Sequence, residues 1–267
     1  MKRKSHKHLG KKRGARLGQH LLTNSGIAFA VAAAAGIQKG DAVLEIGPGT
    51  GMLTRELLAL GAQVTAVEKD PPMITALHDT FANELQSGAL TLIEGDEREY
   101  TPDKIFPKGT YKVAANIPYY ITGELIRECL TAKNQPASAA LLVQKEVAER
   151  IAREKKESIL SLSVRVYGTP KYVKTVGKGS FNPPPAVDSA ILAITHISRK
   201  KLEGISEKRF FEIIKAGFAQ KRKTLGSNLK KVFGVRVLSV LNELSISEKI
   251  RAEDIALAQW LELAKNI

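Results

Sequence analysis

Predicted strands and helices alternate between about residues 40 and 195, and this alternation limits most strongly what the chain can fold into. Five short apolar runs are predicted to be buried strands: 42–46, 63–67, 90–94, 111–115 and 139–143. Because strands that alternate with helices form a mostly parallel sheet with helices on both faces, the pattern predicts an α/β fold. Ligands of such sheets bind beyond the carboxyl ends of the strands.

The other segments extend this prediction to the rest of the chain. Helical spacing is found at 51–60, 71–85, 121–132 and 146–155, and later strands are predicted at 160–167 and 190–194. From about residue 200 only helical segments follow, near 206–219, 223–232, 235–244 and 252–264. We therefore predict a flexible basic arm over residues 1–16, an α/β domain over 17–197 and a small helical domain over 205–267, joined at His196–Gly204.

Positive charge is concentrated in two clusters at the ends of the chain. The formal net charge is +14, and residues 2–16 carry eight lysines and arginines and no acid. A second basic cluster extends from Arg199 to Lys231. Each cluster alone fits a solvated face or a disordered tail as well as a binding surface. Two clusters that flank an α/β domain favour a polyanionic partner such as a nucleic acid.

Several classes of protein are disfavoured by the composition. The one cysteine, Cys129, cannot form an intramolecular disulfide, and no apolar run approaches the ~20 residues needed to span a membrane. A signal peptide is rejected because Leu17–His20 separates the basic segment from the alanine-rich run 27–35. We expect a cytoplasmic protein without a membrane anchor or a metal site.

A glycine loop joins the first predicted strand to its helix. Gly47, Gly49 and Gly51 alternate in Glu45-Ile46-Gly47-Pro48-Gly49-Thr50-Gly51, which allows a tight turn and close approach of a ligand. A dinucleotide site would need Gly-x-Gly-x-x-Gly, but Met52 stands at the last position. The loop instead resembles the S-adenosylmethionine loop of Rossmann-like methyltransferases, although a plain strand-to-helix turn remains an alternative.

Two acids follow the next two strands. Glu68 lies about 20 residues beyond the glycines, where an acid can bind both ribose hydroxyls of a nucleoside. Asp96 could accept a hydrogen bond from an adenine amino group, or could simply cap a helix. Lys69, beside Glu68, is included among the candidate cofactor-binding residues.

The sequence Asn116-Ile117-Pro118-Tyr119 follows the fourth strand and resembles the motif of RNA adenine-N6 methyltransferases. The adenine amino nitrogen is a poor nucleophile because its lone pair is conjugated with the ring. The side-chain oxygen of Asn116 and the carbonyl of Ile117 could accept its two N–H groups, and Tyr119 could stack on a base taken out of its stack. Pro118 would stiffen the loop. Phe181, in a proline-rich loop, is either a second stacking face or a core residue.

From Lys12 to Leu261, the chain resembles the KsgA-type ribosomal RNA adenine dimethyltransferases. Further motifs carry this resemblance: Leu17–Leu22, Gln144–Ala148, Val187–Ala190, Arg222–Leu225 and Arg251–Asp254. The resemblance implies S-adenosylmethionine as cofactor, with contacts from His20 and Leu22. It also implies dimethylation of two adjacent adenines, in a hairpin loop near the 3′ end of small-subunit ribosomal RNA within an immature small subunit.

The basic clusters give the expected RNA contacts, and the sequence pattern gives the expected oligomeric state. Candidate RNA-binding residues are Lys11, Lys12, Arg13, Lys221, Arg222 and Lys223. The helical domain would supply the last three, and the basic arm the others. No coiled-coil period is present, so we expect a monomer. Departures from the family pattern occur at Leu21, Glu97 and Gly123, and at Ser158-Ile159, where the family usually has Tyr-Gly.

Three alternatives share parts of this pattern. An erythromycin-resistance-type methyltransferase of large-subunit RNA also has Asn-Ile-Pro-Tyr, but the motifs at Leu17 and Arg222 favour the small-subunit family. A non-catalytic assembly or transcription factor of the same fold would be favoured by loss of Glu68 or Asn116, and both are present. A DNA adenine methyltransferase is disfavoured because the sequence indicates no separate target-recognition domain.

Overall fold

The computed structural model describes residues 20–267, and six of its nine strands begin and end close to the predicted positions. The strands, in chain order, are β1 (Leu21–Leu22), β2 (Ala42–Ile46), β3 (Gln63–Glu68), β4 (Leu90–Glu94), β5 (Lys112–Asn116), β6 (Ser138–Gln144), β7 (Thr169–Val176), β8 (Phe181–Asn182) and β9 (Ser189–Thr195). The predicted strands at 42–46, 63–67, 90–94, 111–115, 139–143 and 190–194 are confirmed.

Helices occupy most of the segments between these strands and nearly all of the C-terminal part. They are α1 (Ser25–Ala34), α2 (Met52–Ala59), α3 (Pro71–Thr80), α4 (Ala82–Ser87), α5 (Pro102–Ile105), α6 (Thr122–Thr131), α7 (Lys145–Ala152), α8 (Ile159–Arg165), α9 (Glu207–Gly217), α10 (Leu225–Phe233), α11 (Arg236–Glu243) and α12 (Leu257–Asn266). The last four confirm the four predicted C-terminal helices. None of the helices within residues 20–267 is both long enough and apolar enough to cross a membrane.

The main sheet has seven strands in the order β4-β3-β2-β5-β6-β9-β7. Neighbours from β4 to β6 pair in parallel, whereas β9 pairs antiparallel with both β6 and β7. The predicted α/β fold with a mostly parallel sheet is therefore confirmed. From β2 the chain builds the sheet first towards β4 and then, from β5, in the other direction. This reversal makes the ends of β2 and β5 a topological switch point, where open α/β sheets bind ligands.

Both faces of the sheet are covered, which explains why its strands are continuous apolar runs. Successive residues along a strand point to opposite faces, so Leu44 and Val43 belong to different core clusters. The cluster around Val43 includes residues of α1, α2 and α3. The cluster around Leu44 includes residues of α6, α7 and α8, and it continues into the C-terminal helices.

The predicted strand at 160–167 is wrong, because these residues lie largely in α8. Ser158 accepts the N–H of Ser161 at 3.0 Å, and Ser161 Oγ accepts the N–H of Ser158 at 2.7 Å. This reciprocal capping box starts a helix. The alternation of apolar and polar residues favoured a strand, but the capping box at Ser158 decides for a helix.

The short elements β1, β8 and α5 were not predicted, and three longer segments also differ from the prediction. The predicted helix 71–85 is divided at Phe81, whose φ of −118° and ψ of 31° are not helical. Strand β7 was not predicted, since its repeated lysines hide the alternation; as the edge strand of the sheet it can carry them. Helix α1 was not assigned either, because its alanine-rich run has little amphipathic character.

The last strand of the sheet ends at Thr195, and the first long C-terminal helix begins at Glu207. Apolar contacts are continuous across this junction, where Tyr167 stacks on Phe211 with ring centroids 6.2 Å apart. Lys201 Nζ also donates to the Gly168 carbonyl at 3.3 Å. The division into domains at 197 and 205 stays a prediction.

Candidate functional site

A pocket lies at the switch point, beyond the carboxyl ends of β2, β3 and β5. Residues of the glycine loop, of the Asn116 loop and of the segment before β1 enclose it together. Its lining residues are His20, Leu21, Gly47, Gly49, Glu68, Asn116, Ile117, Pro118 and Tyr119. The structure thus brings together eight of the site residues predicted from the sequence.

The glycine loop approaches the pocket with bare backbone. Gly47 has a φ of +67°, and a Cβ built on it would have no neighbour nearer than the Asn116 carbonyl oxygen at 4.0 Å. The space beside Gly47 is therefore open to a ligand. Gly49, with a φ of +56°, packs against Leu21 and donates its N–H to Glu68 Oε2 at 3.0 Å.

Gly51 serves packing in this structure and does not line the pocket. Its φ is +77°, and an added Cβ would lie 2.3 Å from the ring of Phe81. Phe81 is the residue that separates α3 from α4. The third glycine of the motif is therefore required by the fit between the start of α2 and Phe81. A direct contact of Gly51 with a cofactor stays a prediction.

Glu68 is the most firmly held acid of the site. Its carboxylate is buried and accepts backbone N–H groups from Gly49 at 3.0 Å, Lys69 at 2.9 Å and Asp70 at 3.0 Å. Oε2 accepts only one of these, so it keeps acceptor capacity toward the pocket. An anionic carboxylate fixed in this way is suited to bind a hydroxyl of a ligand.

Glu45 was not among the residues singled out from the sequence, although it begins the glycine motif. It is only 1% exposed, and its Oε2 has no hydrogen-bond donor among residues 20–267. Burial raises the pKa of Glu45 to about 8, and the nearby charge of Glu68 contributes to the rise. An acid inside an otherwise apolar strand was the available signal for an unusual carboxyl group.

Asp96 does not line the pocket, and its carboxylate is paired with Arg98. Arg98 Nε and Nη2 donate to the two oxygens at 2.9 and 2.6 Å, and these bonds lower the pKa of Asp96. Contact with an adenine amino group would use the remaining lone pairs of the two oxygens. The assignment of Asp96 to cofactor binding therefore stays a prediction.

The Asn116 loop presents acceptors to the pocket. Asn116 Nδ2 donates to the His20 carbonyl at 3.0 Å. This hydrogen bond fixes the orientation of the side-chain amide and leaves Oδ1 as the free acceptor. The Ile117 carbonyl has no donor among residues 20–267, whereas that of Pro118 accepts from Ile121 N at 3.2 Å. The loop thus offers the two acceptors that the sequence predicted.

The side chain of Tyr119 is held by strand β9. Its hydroxyl is 2.6 Å from Ser189 Oγ, and burial raises its pKa. Ser189 pairs with Gln144 across β9 and β6. The motif Gln144–Ala148 and the motif Val187–Ala190 therefore meet beside Tyr119. The Tyr119 ring lies 5.5 Å from that of His20, at 35°.

Phe181 does not line the pocket, and its role as a second stacking face stays a prediction. It pairs with Leu22 across β8 and β1, and both side chains are 4% exposed within the apolar cluster that contains Val176. The alternative, a core phenylalanine under a surface loop, describes this position. Leu22 is likewise a core residue and does not line the pocket. His20 does, and its Nδ1 bonds to the Pro183 carbonyl at 2.9 Å.

The remaining candidates lie outside this pocket. Lys69 contacts the loops after β4 and β5 rather than the pocket itself. Lys221, Arg222 and Lys223 are all exposed in the turn before α10. Lys11, Lys12 and Arg13 fall outside the described residues. Within residues 20–267, no group of three or more His, Cys, Asp or Glu side chains could hold a metal ion.

Sequence comparisons match this arrangement to one family along nearly the whole chain. The family described as "Ribosomal RNA adenine dimethylase" matches residues 10–267. The "Ribosomal RNA small subunit methyltransferase A" of Dehalococcoides mccartyi strain BAV1 is 41% identical, and the match covers 92% of this chain and 86% of that protein. The protein of the same name from Fusobacterium nucleatum is 37% identical, with 93% and 95% covered.

Solved structures give the same result at the level of the fold. The dimethyladenosine transferase of Plasmodium falciparum matches with a TM-score of 0.77 and 30% identity, over 91% of this chain and 96% of that one. The 23S rRNA methyltransferase ErmE matches with a TM-score of 0.71 and 24% identity, over 92% and 98%, which shows a shared fold. The chain is therefore a member of the ribosomal RNA adenine dimethylase family, a family of methyltransferases.

Proposed function

We propose that this protein transfers methyl groups from S-adenosylmethionine to the N6 atoms of two adjacent adenines in small-subunit ribosomal RNA. The target is a hairpin loop near the 3′ end of that RNA, modified within an immature small subunit. The observation that carries the proposal is the shared pocket of the Asn116–Tyr119 loop, Glu68 and the glycine loop. The names of the D. mccartyi and F. nucleatum relatives support the small subunit as the target.

The chemistry of the pocket fits the proposed cofactor. Open space beside Gly47 allows close approach to the backbone, and the anchored Glu68 carboxylate can accept a ribose hydroxyl. When bound, S-adenosylmethionine supplies a methyl group on a positively charged sulfur that leaves as a neutral thioether. The buried carboxylate of Glu68, which lines the pocket, suits a cationic ligand better than an anionic one.

The residues of the Asn116 loop prepare the adenine nitrogen. Asn116 Oδ1 and the Ile117 carbonyl accept the two N–H groups of the unmethylated amine, and one of them accepts the single N–H that is left for the second transfer. These bonds withdraw the lone pair from conjugation and orient it for attack, and each transfer releases one N–H proton to solvent. Tyr119 offers one ring face to the base, and Ser189 fixes the direction of that ring. Asn116 carries no charge, so its role is orientation and electrostatic stabilisation rather than proton abstraction.

RNA contacts are proposed for the exposed basic side chains of the helical part. Lys221 and Lys223 line a groove between that part and the α7–α8 region, together with Arg150, Lys156 and Arg251. Three acids, Glu154, Glu157 and Glu253, line the same groove. Loop bases can be splayed out and stacked by proteins, which agrees with a hairpin-loop target. We further propose that the protein acts as a monomer in the cytoplasm.

The test is methyl transfer from labelled S-adenosylmethionine to small and large ribosomal particles that lack the modification, followed by nucleoside analysis. The proposal predicts dimethyladenosine in the small subunit alone. Label in the large subunit alone would assign the protein to the resistance-type activity instead. Absence of label from both particles, with cofactor binding intact, would refute ribosomal RNA as the substrate.

A further inference from the structure

Lys69, the residue after β3, contacts the loops that follow two other strands. Its Nζ donates to Glu97 Oε1 at 3.2 Å and to the Tyr120 hydroxyl at 3.0 Å, and it lies 3.8 Å from Asp96 Oδ2. Asp96 and Glu97 follow β4, and Tyr120 follows β5. One ammonium group thus joins three loops at the edge of the sheet that holds the pocket.

The contact between Lys69 and Tyr120 extends past a strand. In the sheet, β2 lies between β3 and β5, so these two side chains meet beyond the end of β2, where the glycine loop leaves the sheet. The contact therefore connects the cofactor side of the site, with Glu68 and Asp96, to the loop that carries Asn116. The backbone hydrogen bonds of the sheet make no such connection, because β3 and β5 are not neighbours.

Tyr120 belongs to the short 3₁₀ turn Tyr119–Ile121, so the turn has an anchor on each side. Tyr119 is bonded to Ser189 of β9, and Tyr120 is bonded to Lys69. The Tyr120 side chain is otherwise mostly exposed, at 61%. Its hydroxyl is therefore a group through which the direction of the turn can be fixed from the cofactor side.

Glu97 holds the ammonium group in place. Its side chain is only 9% exposed and pairs with Lys69, so removal of the lysine would leave a buried carboxylate unpaired. Burial alone would lower the pKa of Lys69, but the Tyr120 hydroxyl and the Glu97 carboxylate outweigh it and raise the pKa. Lys69 is therefore cationic at neutral pH. Glu97 is one of the positions at which the sequence departs from the family pattern, and the structure gives it this counter-ion role.

We propose that Lys69 is a positioning residue that, with Glu97 as its counter-ion, fixes the Tyr119–Ile121 turn through the Tyr120 hydroxyl and so aligns the Asn116 loop with the cofactor side of the pocket. This inference rests on the proposed function for its kinetic consequences only. Interactions that align reacting groups act on the chemical step, so their loss lowers kcat more than it raises KM.

The experiment compares Tyr120→Phe, Lys69→Met and the double variant. Tyr172→Phe is the matched control, because it also removes one tyrosine hydroxyl with a side-chain partner, Thr175 Oγ1 at 2.7 Å, but lies in β7 outside the site. The first readout is kcat and KM for methyl transfer to small-subunit particles. The second is amide hydrogen exchange over residues 117–126, which needs no substrate.

For Tyr120→Phe we expect kcat to fall about tenfold while KM changes less than about twofold. Amide exchange over the turn should accelerate, and Tyr172→Phe should change neither quantity. Because Lys69 and Tyr120 act as one unit, the double variant should lose no more activity than Lys69→Met alone. If the loss of activity in the double variant equals the product of the losses in the two single variants, Lys69 and Tyr120 have independent roles, and the proposal is overturned.

Other outcomes are equally decisive. Wild-type kcat and unchanged amide exchange in Tyr120→Phe would remove Lys69 from the positioning of the loop. If Lys69→Met fails to fold, Tyr120→Phe still decides, since it removes one largely exposed hydroxyl and leaves the Lys69–Glu97 pair intact. If the wild-type protein methylates neither ribosomal particle, the proposed function fails, and amide exchange alone then supports or refutes the positioning role.

Discussion

Asn116 is the residue on which the proposed chemistry depends most. Its Nδ2 is committed to the His20 carbonyl, which turns Oδ1 toward the pocket. Asn116→Ala removes an acceptor for the adenine amino group while the glycine loop and Glu68 stay in place. We expect methyl transfer to fall at least about 100-fold, as for the loss of a hydrogen-bonding group that stabilises a transition state, and calorimetry to show cofactor affinity close to that of the wild type.

The matched control for Asn116 is Asn266→Ala near the chain end, where Nδ2 donates only to the Glu262 carbonyl of the same helix. That variant should methylate normally. Normal methylation by Asn116→Ala would show that another group orients the amine.

Glu68 gives a second test at a single position, because a glutamine cannot reproduce its contacts. The carboxylate accepts three backbone N–H groups through two oxygens, but an amide would turn its NH₂ toward one of them. We expect Glu68→Gln to raise the dissociation constant of S-adenosylmethionine by about tenfold or more, the effect of losing one hydrogen bond to a charged group. Titration calorimetry measures it. The exposed Glu243→Gln is the control, and equal affinities for the two variants would exclude Glu68 from the cofactor site.

Glu45 links stability to pH. The folded protein holds its proton up to about pH 8, whereas the unfolded chain releases it near the ordinary pKa of 4.5. Its contribution to stability is therefore fully present below pH 4.5 and is lost as the pH rises toward 8. The side chain of Glu45→Gln stays neutral at every pH. The free energy of unfolding of this variant relative to the wild type should therefore increase by at least about 1.4 kcal/mol from pH 4.5 to pH 8, the equivalent of one pKa unit. Urea unfolding at both pH values measures this difference; parallel pH profiles would contradict it.

At the scale of the element, α8 shows how a local cap can decide between helix and strand. Ser158 Oγ accepts the N–H of Ser161 at 3.0 Å at the start of this helix. We expect Ser158→Ala to lower the free energy of unfolding by about 1 kcal/mol, as for the loss of other N-caps. The control Ser163→Ala loses the hydrogen bond that Ser163 Oγ donates to the Ile159 carbonyl, one helical turn earlier. The free energy of unfolding should then change by less than about 0.5 kcal/mol. Chemical denaturation distinguishes them, and equal effects would mean that the cap does not hold the helix.

Elements with one dominant signal could be predicted from the sequence, and elements with competing signals could not. The parallel strands are largely apolar and end at a polar residue or, for β2, at the glycine loop, so their positions follow from the sequence. The segment 158–165 carries alternating apolar and polar side chains together with a serine cap, and the alternation alone gave the wrong element. Strand β7 depends on being the edge of the sheet, which is a property of the assembled sheet rather than of residues 169–176.

The candidate site divides in a similar way. Residues at the ends of neighbouring strands meet because the topology requires it, so the positions of Gly47, Glu68 and Asn116 could be predicted. Phe181 could not be placed, because its burial depends on the pairing of β8 with β1, which lies about 160 residues away in the sequence. The Lys69–Tyr120 contact is also beyond prediction, since it depends on side-chain reach between strands that are not adjacent.

At the scale of the whole molecule, the proposed RNA surface lies on the helical part, whereas the pocket lies at the edge of the sheet. The core is continuous between the two parts, so the exposed basic turn 221–223 keeps its position relative to the pocket. Phosphates neutralised by these side chains release counter-ions on binding, which makes RNA affinity fall with salt. The net charge of +14 alone would give some attraction to RNA, and a local test must separate the two effects.

The test compares two triple variants of equal charge change. Lys221→Ala/Arg222→Ala/Lys223→Ala removes the basic turn. Lys39→Ala/Lys104→Ala/Lys108→Ala removes three exposed lysines in the segments that lead into β2 and β5, none of which lines the pocket. For the first we expect the slope of log K against log salt concentration to become shallower by about 2 to 3, since each phosphate that is no longer neutralised reduces the slope by about one unit. The second should leave the slope nearly unchanged. Equal slopes for the two would mean that net charge, and not this turn, attracts the RNA, and the RNA surface would then have to be sought elsewhere on the molecule.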